Sequence, residues 1–284
     1  MDIVKPLLES DGYDLEFINI DSFENLIKEL QNYLEFIKKN KVKAIIGIGG
    51  GKAIDAAKLF ASFSQKPFIS IPTTVSHDGV SSPAISYIIT LKLSLKHNLK
   101  FKMKSPYAII ADTEIIKSTD WDSIKAGIGD LIAKFTAVRD WRLANLLKGE
   151  EYSEYAASMA LMSAKLIEKN LSTIAKDKEN AIPILVKALI GSGIAISVAG
   201  SSRPASGSEH LFSHALDILA EKDKFKNQLH GIQCGIGTII MGMLHNLNYK
   251  RIKNLLAKIN FPLNYKELNI DKKIKTVEKY YIGG

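Results

Sequence analysis

Hydrophobic and polar positions follow two regimes along this chain. In the first, short apolar runs alternate with helix-period segments. Asp14 to Ile20 reads as a strand, and Asp21 with Glu24 three residues on predicts an N-cap for an amphipathic helix ending near Lys39. Ile45 to Ile48 is a continuous apolar run of the kind buried in parallel sheets. Phe68 to Pro72 and Tyr107 to Asp112 read as further strands, and the alternation over 85–104 predicts a hairpin. From about Ser123 the periodicity is helical almost throughout, punctuated by Gly149, Pro183, Gly191–Gly193 and Pro204. The expected fold is therefore an α/β N-terminal domain with a Rossmann-like, mostly parallel sheet over 1–122. An all-α domain follows over 123–284, with a cleft between the two.

Composition narrows the setting. The chain has 284 residues, long for one core. Its single cysteine, Cys234, excludes an internal disulfide and fits a reducing, cytoplasmic location. No N-terminal run resembles a signal peptide, and no stretch reads as a membrane span, so no stable membrane insertion is expected. The net charge of +8 favours anionic small molecules. No basic module interleaved with aromatics and no zinc-finger spacing points to nucleic acid. Lys92, Lys96, Lys100, Lys102 and Lys104 read as the solvated edge of the expected hairpin. A homo-oligomer is left open.

Chemistry concentrates in four places. After the Ile45–Ile48 run come Gly49, Gly50, Gly51 and Lys52, and an Ala-rich helix opens at once, with Asp55 in its first turns. Backbone without Cβ atoms approaches a phosphate closely, and the helix N-terminus presents free N–H groups to it. The spacing is neither G-x-G-x-x-G nor a Walker A, and a tight turn without ligand is the alternative. In the helical half, Gly127-Ile128-Gly129-Asp130 puts an acid beside glycines at an expected helix start. Ser206 and Glu209 have capping-box spacing, which sets His210 and His214 one turn apart on one face. Buried core histidines are the alternative there. Finally, His230-Gly231 opens a glycine-rich apolar helix in which Cys234 reads as a small buried hydrophobe, with metal ligation the alternative. Taken together, one carboxylate and two imidazoles are the usual open catalytic zinc set, and two histidines one turn apart can share a metal or divide between metal and substrate.

The order Gly-Gly-Gly-Lys-x-x-Asp55, Pro72-Thr73-Thr74-Val75-Ser76-His77-Asp78-Gly79, Gly129-Asp130, Glu209-His210-x-x-x-His214 and His230-Gly231 resembles the superfamily of iron-type alcohol dehydrogenases, glycerol dehydrogenases and dehydroquinate synthases. Within it, SPYAIIADTEII and SGSEHLFSHALD resemble the sn-glycerol-1-phosphate dehydrogenases, over about residues 10–255. The resemblance implies a dehydroquinate-synthase-like fold and reduction of dihydroxyacetone phosphate to sn-glycerol 1-phosphate by NADH or NADPH, for archaeal ether lipids. It implies a nucleotide held by Gly49, Gly50, Gly51, Lys52, Asp55, Thr73, Thr74, Ser76 and Ser82. Zn²⁺ would sit on Asp130, His210 and His230. Asp78, Asp130 and His214 would act on substrate. Separately, the one-turn spacing of His214 from His210 predicts that His214, or a water it orders, relays the proton. It also implies a further strand and glycine turn ahead of Asp2–Leu15 and more helix after Gly284, so the chain reads as short at both ends. Polyol dehydrogenation, a dehydroquinate-synthase-like lyase, and a truncated chain binding nucleotide or metal without turnover are the competing readings.

Overall fold

Ile45 to Gly49 and Phe68 to Pro72 pair in parallel register, Ile46 opposite Ile69 and Ile48 opposite Ile71, as expected of apolar runs that a sheet buries on both faces. In the computed structural model, residues 4–20, 22–97, 104–223 and 227–268 are described. The order of elements is α1 (Val4–Ser10), α2 (Phe23–Lys39), β1 (Ile45–Gly49), α3 (Gly51–Ser64), β2 (Phe68–Pro72), a 3₁₀ turn (Asp78–Val80), α4 (Tyr87–His97), β3 (Ala108–Ile109) and α5 (Thr113–Ile116). Then come α6 (Trp121–Ile132), α7 (Lys134–Lys148), α8 (Glu154–Ile174), α9 (Lys178–Ala199), α10 (Ser208–Asp223), α11 (His230–Leu244), α12 (Tyr249–Ala257) and a second 3₁₀ turn (Tyr265–Leu268). Among the described residues the sheet has three parallel strands in the order β1-β2-β3.

Several elements differ from the sequence reading. Asp14 to Ile20 forms no strand among the described residues. It has no ladder partner, and instead Ile18 and Ile20 lean on the apolar cluster of α2, α3 and α4. The cap of α2 is Ser22, whose hydroxyl accepts from the Asn25 N–H, while Asp21 lies outside the described residues. The expected hairpin is a helix, α4, as far as it is described. Ile85, Ile89 and Leu93 recur every four residues and are buried, so a helical stripe was hidden inside an apparent alternation. Lys92 on this helix meets Glu221 of α10 at 2.7 Å rather than guarding a strand edge. Of the other lysines, Lys100 and Lys102 lie outside the described residues. β3 keeps only two residues of the run from Tyr107 to Asp112.

Pro183 and Gly191–Gly193 do not interrupt α9. A Cβ on Gly193 would lie 2.0 Å from Ser81 Oγ and 2.6 Å from the Ser82 nitrogen, so glycine permits a close approach between helix and turn. By length and composition α9 also qualifies as a membrane span, which corrects the expectation that no segment would. Half of that stretch is buried in the protein, with Ile182, Leu185 and Leu189 in the main core cluster. That cluster joins α6, α8, α9, α11 and α12, and it reaches Val75 and Val80 beside the cleft.

Candidate active site

Gly49 ends β1 with φ +140, a conformation that side chains rarely adopt, and Gly50 caps α3 without any side-chain bond. The start of α3 is therefore left without a side-chain cap where Gly51 and Lys52 line the cleft. A Cβ on Gly50 would touch only Thr74, at 3.6 Å, and would otherwise project into open space. The Thr73 N–H donates to the Gly49 carbonyl at 3.0 Å and ties the turn to the end of β2. A cleft of about 860 Å³ opens here, lined by Gly51, Lys52, Asp55, Ser76 and Ser82 from this half. Asp78, His210, His214 and His230 line it from the other side. Ser82 Oγ is buried in this wall with no hydrogen-bond partner among the described residues. Asp55 is half of a buried pair with Lys58, at 3.2 Å, and its other oxygen accepts from the Ser86 N–H at 3.0 Å. These residues fit a nucleotide: a cradle without side chains, and a buried hydroxyl left for a ligand to satisfy.

Across the cleft, three helices bring the acid and the imidazoles together. Asp130 stands in the last turn of α6, not at a helix start, and the glycines before it serve packing. A Cβ on Gly129 would lie 2.1 Å from the Gly231 carbonyl oxygen, and one on Gly231 would lie 1.8 Å from that of Ala126. α6 and α11 thus touch backbone to backbone, which carries Asp130 toward His230. α10 starts at Ser208, not around Ser206. Glu209 accepts from the Gly207 N–H at 2.7 Å, so the reach-back of a capping box survives at a later residue. His210 Nε2 lies 3.5 Å from Asp130 Oδ1, and the rings of His210 and His230 are 5.0 Å apart. His214 is one turn along, its ring 6.3 Å from that of His210 and stacked on Tyr87 at 4.2 Å.

Both ligand candidates have their far nitrogen committed. His210 Nδ1 meets Glu209 Oε1 at 2.7 Å, and Glu209 Oε2 accepts from Thr136 at 2.6 Å. The Ser213 hydroxyl gives its proton to Gln233 Oε1, at 2.5 Å, and so accepts from His230 Nδ1 at 3.0 Å. Gln233 in turn donates to Asn227, and Asn227 to Asp217. With both Nδ1 atoms acting as donors, the nitrogen left for a metal on each ring is Nε2, where an ion would replace the proton that Asp130 otherwise draws onto His210. Cys234 is fully buried as read from sequence, yet its sulfur is 3.5 Å from His230 Nε2 and shares a potential ligand cluster with both histidines. Two imidazoles, a carboxylate and a nearby thiol suit a borderline divalent ion such as zinc, iron or nickel.

The electrostatics are dominated by Lys134, fully buried at 3.0 Å from Asp130 and 2.9 Å from Asp78. Burial would raise the Asp130 carboxyl, but the charges of Lys134 and His210 hold it well below the usual carboxylate range. Burial would lower the Lys134 amine, and the two aspartates more than reverse that. Burial also opposes the charged form of His210, but Cys234, Asp130 and Glu209 together raise it well above the ordinary value. His230 is pushed well down by burial and by the charge of His210. The same two causes lower His214 to about 4. Asp78 is further fixed by the Ser192 hydroxyl at 2.6 Å, and its own N–H donates to Asp130 at 2.8 Å. Sequence reasoning missed Lys134, Ser192, Ser213, Gln233 and Tyr87. Only Lys134 left a signal, its i, i+4 spacing from Asp130.

A small parallel sheet lies beside a helical domain, and residues of the glycine turn and of the histidine cluster line one cleft. Residues 1–119 match the family described as iron-containing alcohol dehydrogenase. Over 97% of the chain the fold superposes on 78% of a probable glycerol dehydrogenase from Sinorhizobium meliloti, with TM-score 0.75 and 18% identity. A glycerol-1-phosphate dehydrogenase from Thermococcus sibiricus is 46% identical over 259 residues, 90% of this chain and 71% of that protein. One from Pyrococcus furiosus is 47% identical over 88% of this chain and 70% of its own length. The chain belongs to the glycerol-1-phosphate dehydrogenase family.

Proposed function

We propose that this chain reduces dihydroxyacetone phosphate to sn-glycerol 1-phosphate with NADH or NADPH, assisted by a divalent ion that we read as zinc. The relatives named glycerol-1-phosphate dehydrogenase support it, and the observation that carries it is one cleft lined by Gly51 of the glycine turn, His210 and His230, with the Asp130 carboxylate buried 3.5 Å behind His210. Asp130, His210 and His230 would hold the ion. Gly49, Gly50, Gly51, Lys52, Asp55, Thr73, Thr74, Ser76 and Ser82 would hold the nucleotide. When bound, the nicotinamide supplies hydride and the ion supplies Lewis-acid polarisation of the carbonyl.

The chain's own residues do the rest. Asp78, oriented by Lys134 and Ser192, accepts a hydrogen bond from a substrate hydroxyl. His214, held neutral above about pH 4 and clamped by Tyr87, acts as a relay: one ring nitrogen gives its proton to the C2 oxygen as the other takes one from cleft water, and the ring stays neutral. Two fixed walls set which face of the ketone receives hydride, and hence the hand of the product. In this reading residues 1–122 carry the nucleotide and 123–284 the ion and substrate. The setting is cytoplasmic, and the product feeds ether-lipid synthesis.

The test is metal analysis of the purified protein together with NADH and NADPH oxidation on adding dihydroxyacetone phosphate. Metal-dependent oxidation that needs the substrate phosphate is expected. Equal rates with unphosphorylated dihydroxyacetone would replace this reading with polyol dehydrogenation. Phosphate release from a sugar acid without net cofactor consumption would replace it with a lyase.

A further inference from the structure

α7 presents two consecutive side chains of opposite charge to two neighbouring helices. Arg139 donates from Nη1 to the carbonyl of His245, the residue that ends α11, at 3.2 Å. Asp140 reaches the start of α10: its Oδ2 accepts from the N–H of Ser208, the first residue of that helix, at 2.6 Å. Its Oδ1 lies 2.6 Å from His245 Nε2, so one carboxyl group joins the start of α10 to the end of α11. A basic group at a helix end and an acidic group at a helix start each complement the dipole of the helix they meet. Gly207 makes room for the contact, since a Cβ there would lie 2.5 Å from Asp140 Oδ2 and 2.8 Å from the Ala137 Cα. Asp140 itself does not line the cleft.

Ser208 stands two residues before His210, so the contact falls inside the turn that carries the imidazole. Its N–H is one of the first-turn donors that a helix cannot satisfy within itself. Thr136, one helical turn before Asp140, donates to Glu209 Oε2 at 2.6 Å, and Glu209 Oε1 meets His210 Nδ1 at 2.7 Å. One face of α7 therefore holds α10 twice in succession, through the main chain at Ser208 and through the side chain at Glu209. The Glu209 contact turns the ring. The Ser208 contact fixes the backbone from which the ring projects. We infer that Asp140 is a positioning residue for His210, an assignment that rests on the proposed reading of Asp130, His210 and His230 as metal ligands. By capping α10 from α7 and anchoring on His245, it sets where the His210 ring stands against Asp130. A ligand displaced by a fraction of an ångström holds its ion less tightly and in altered geometry.

The experiment loads the metal-free full chain with Co²⁺ and records its visible absorption, with the dissociation constant measured by chelator competition. Asp140→Ala removes both oxygens but suits a helix interior. Asp140→Asn keeps an oxygen for the Ser208 N–H and turns its amide toward His245. Trp141→Phe is the comparison: it forfeits the bond from the indole to the Glu151 carbonyl, on the side of α7 that packs on Tyr152. The expected result is about tenfold weaker Co²⁺ binding by the Ala variant, with shifted absorption bands, and recovery of both in the Asn variant. The Phe variant should lose melting temperature yet keep the wild-type affinity and spectrum. Wild-type affinity and spectrum in the Ala variant overturn the inference, whatever its melting temperature. So does a loss that Asn does not repair, or an equal loss in the Phe variant. Should the Ala variant not fold, Asp140→Glu lengthens the acid in the tight space beside Gly207; it should shift the same bands, and unshifted bands overturn the inference. Wild-type protein that binds no Co²⁺ defeats the metal reading first, whereas wild-type binding matched by the Ala variant defeats only the role of Asp140.

Discussion

The two walls of the cleft are built on opposite plans. The wall proposed for the nucleotide works by omission: glycines at 49–51, a helix start with no side-chain cap, and a serine hydroxyl with no partner among the described residues. In the metal wall the polar atoms are largely spoken for. Asp130, Asp78, Lys134 and Ser192 interlock, each imidazole is turned by a donor–acceptor chain, and the helices beneath touch through their backbones. The first wall leaves its polar groups for the ligand to satisfy. The second is organised before anything arrives. Damage should accordingly show as lost ion and turnover on one side and as weakened cofactor affinity on the other.

His230→Ala tests this contrast most strongly. It should remove the bound metal and lower kcat by on the order of a thousandfold, while circular dichroism reports a retained fold. Metal content and rate that both survive would dissolve the distinction. Next in size, Glu209→Gln should weaken metal affinity by roughly ten- to a hundredfold, because the amide no longer holds the His210 Nδ1 proton as firmly. Competition with a chelator measures it, and an unchanged metal constant would make Glu209 a helix cap only. Gly50→Val should raise the cofactor KM by about tenfold while leaving metal content and melting temperature unchanged, since its side chain would meet only Thr74 before entering the cradle. The smallest expected effect is that of His214→Gln. A ring with a pKa near 4 gains a proton, and a positive charge, as pH falls through that value, so the acid limb of kcat/KM should flatten with a loss of only a few-fold. An identical pH profile would remove His214 from the proton path.

Legibility in the sequence divides along a similar line. β1, β2, the cradle and α3 were readable because apolar runs ending in glycines have few other meanings. The pairing of His210 with His214 was readable because one helical turn is a local relation. Asp130 was noticed but put at the wrong end of a helix, since its neighbouring glycines looked like a turn. Their purpose, contact with Val75 and Gly231, lies far along the chain. The span 85–104 misled because Ile88, Leu91, Leu93 and Leu95 mimic alternation, while the buried stripe at Ile85, Ile89 and Leu93 shows itself only against α2 and α3. Ser213 and Gln233 were invisible as site residues, and the spacing of Lys134 from Asp130 went unread, for a simpler reason. Their roles exist only in relation to side chains on other helices or to a neighbour whose own position was misread.

The seam between α6 and α11 has a consequence for the kind of ion the protein accepts. Since Gly129, Gly231 and the Ala126 carbonyl set the helix separation at its steric minimum, the span from carboxylate to imidazole is dictated by main chain rather than by rotamers. Swapping one ligand type for another would leave that span untouched. Enlarging either glycine would widen it, favouring cations of greater radius. Metal preference in this scaffold should thus be retuned from beneath the site, by residues that never meet the ion.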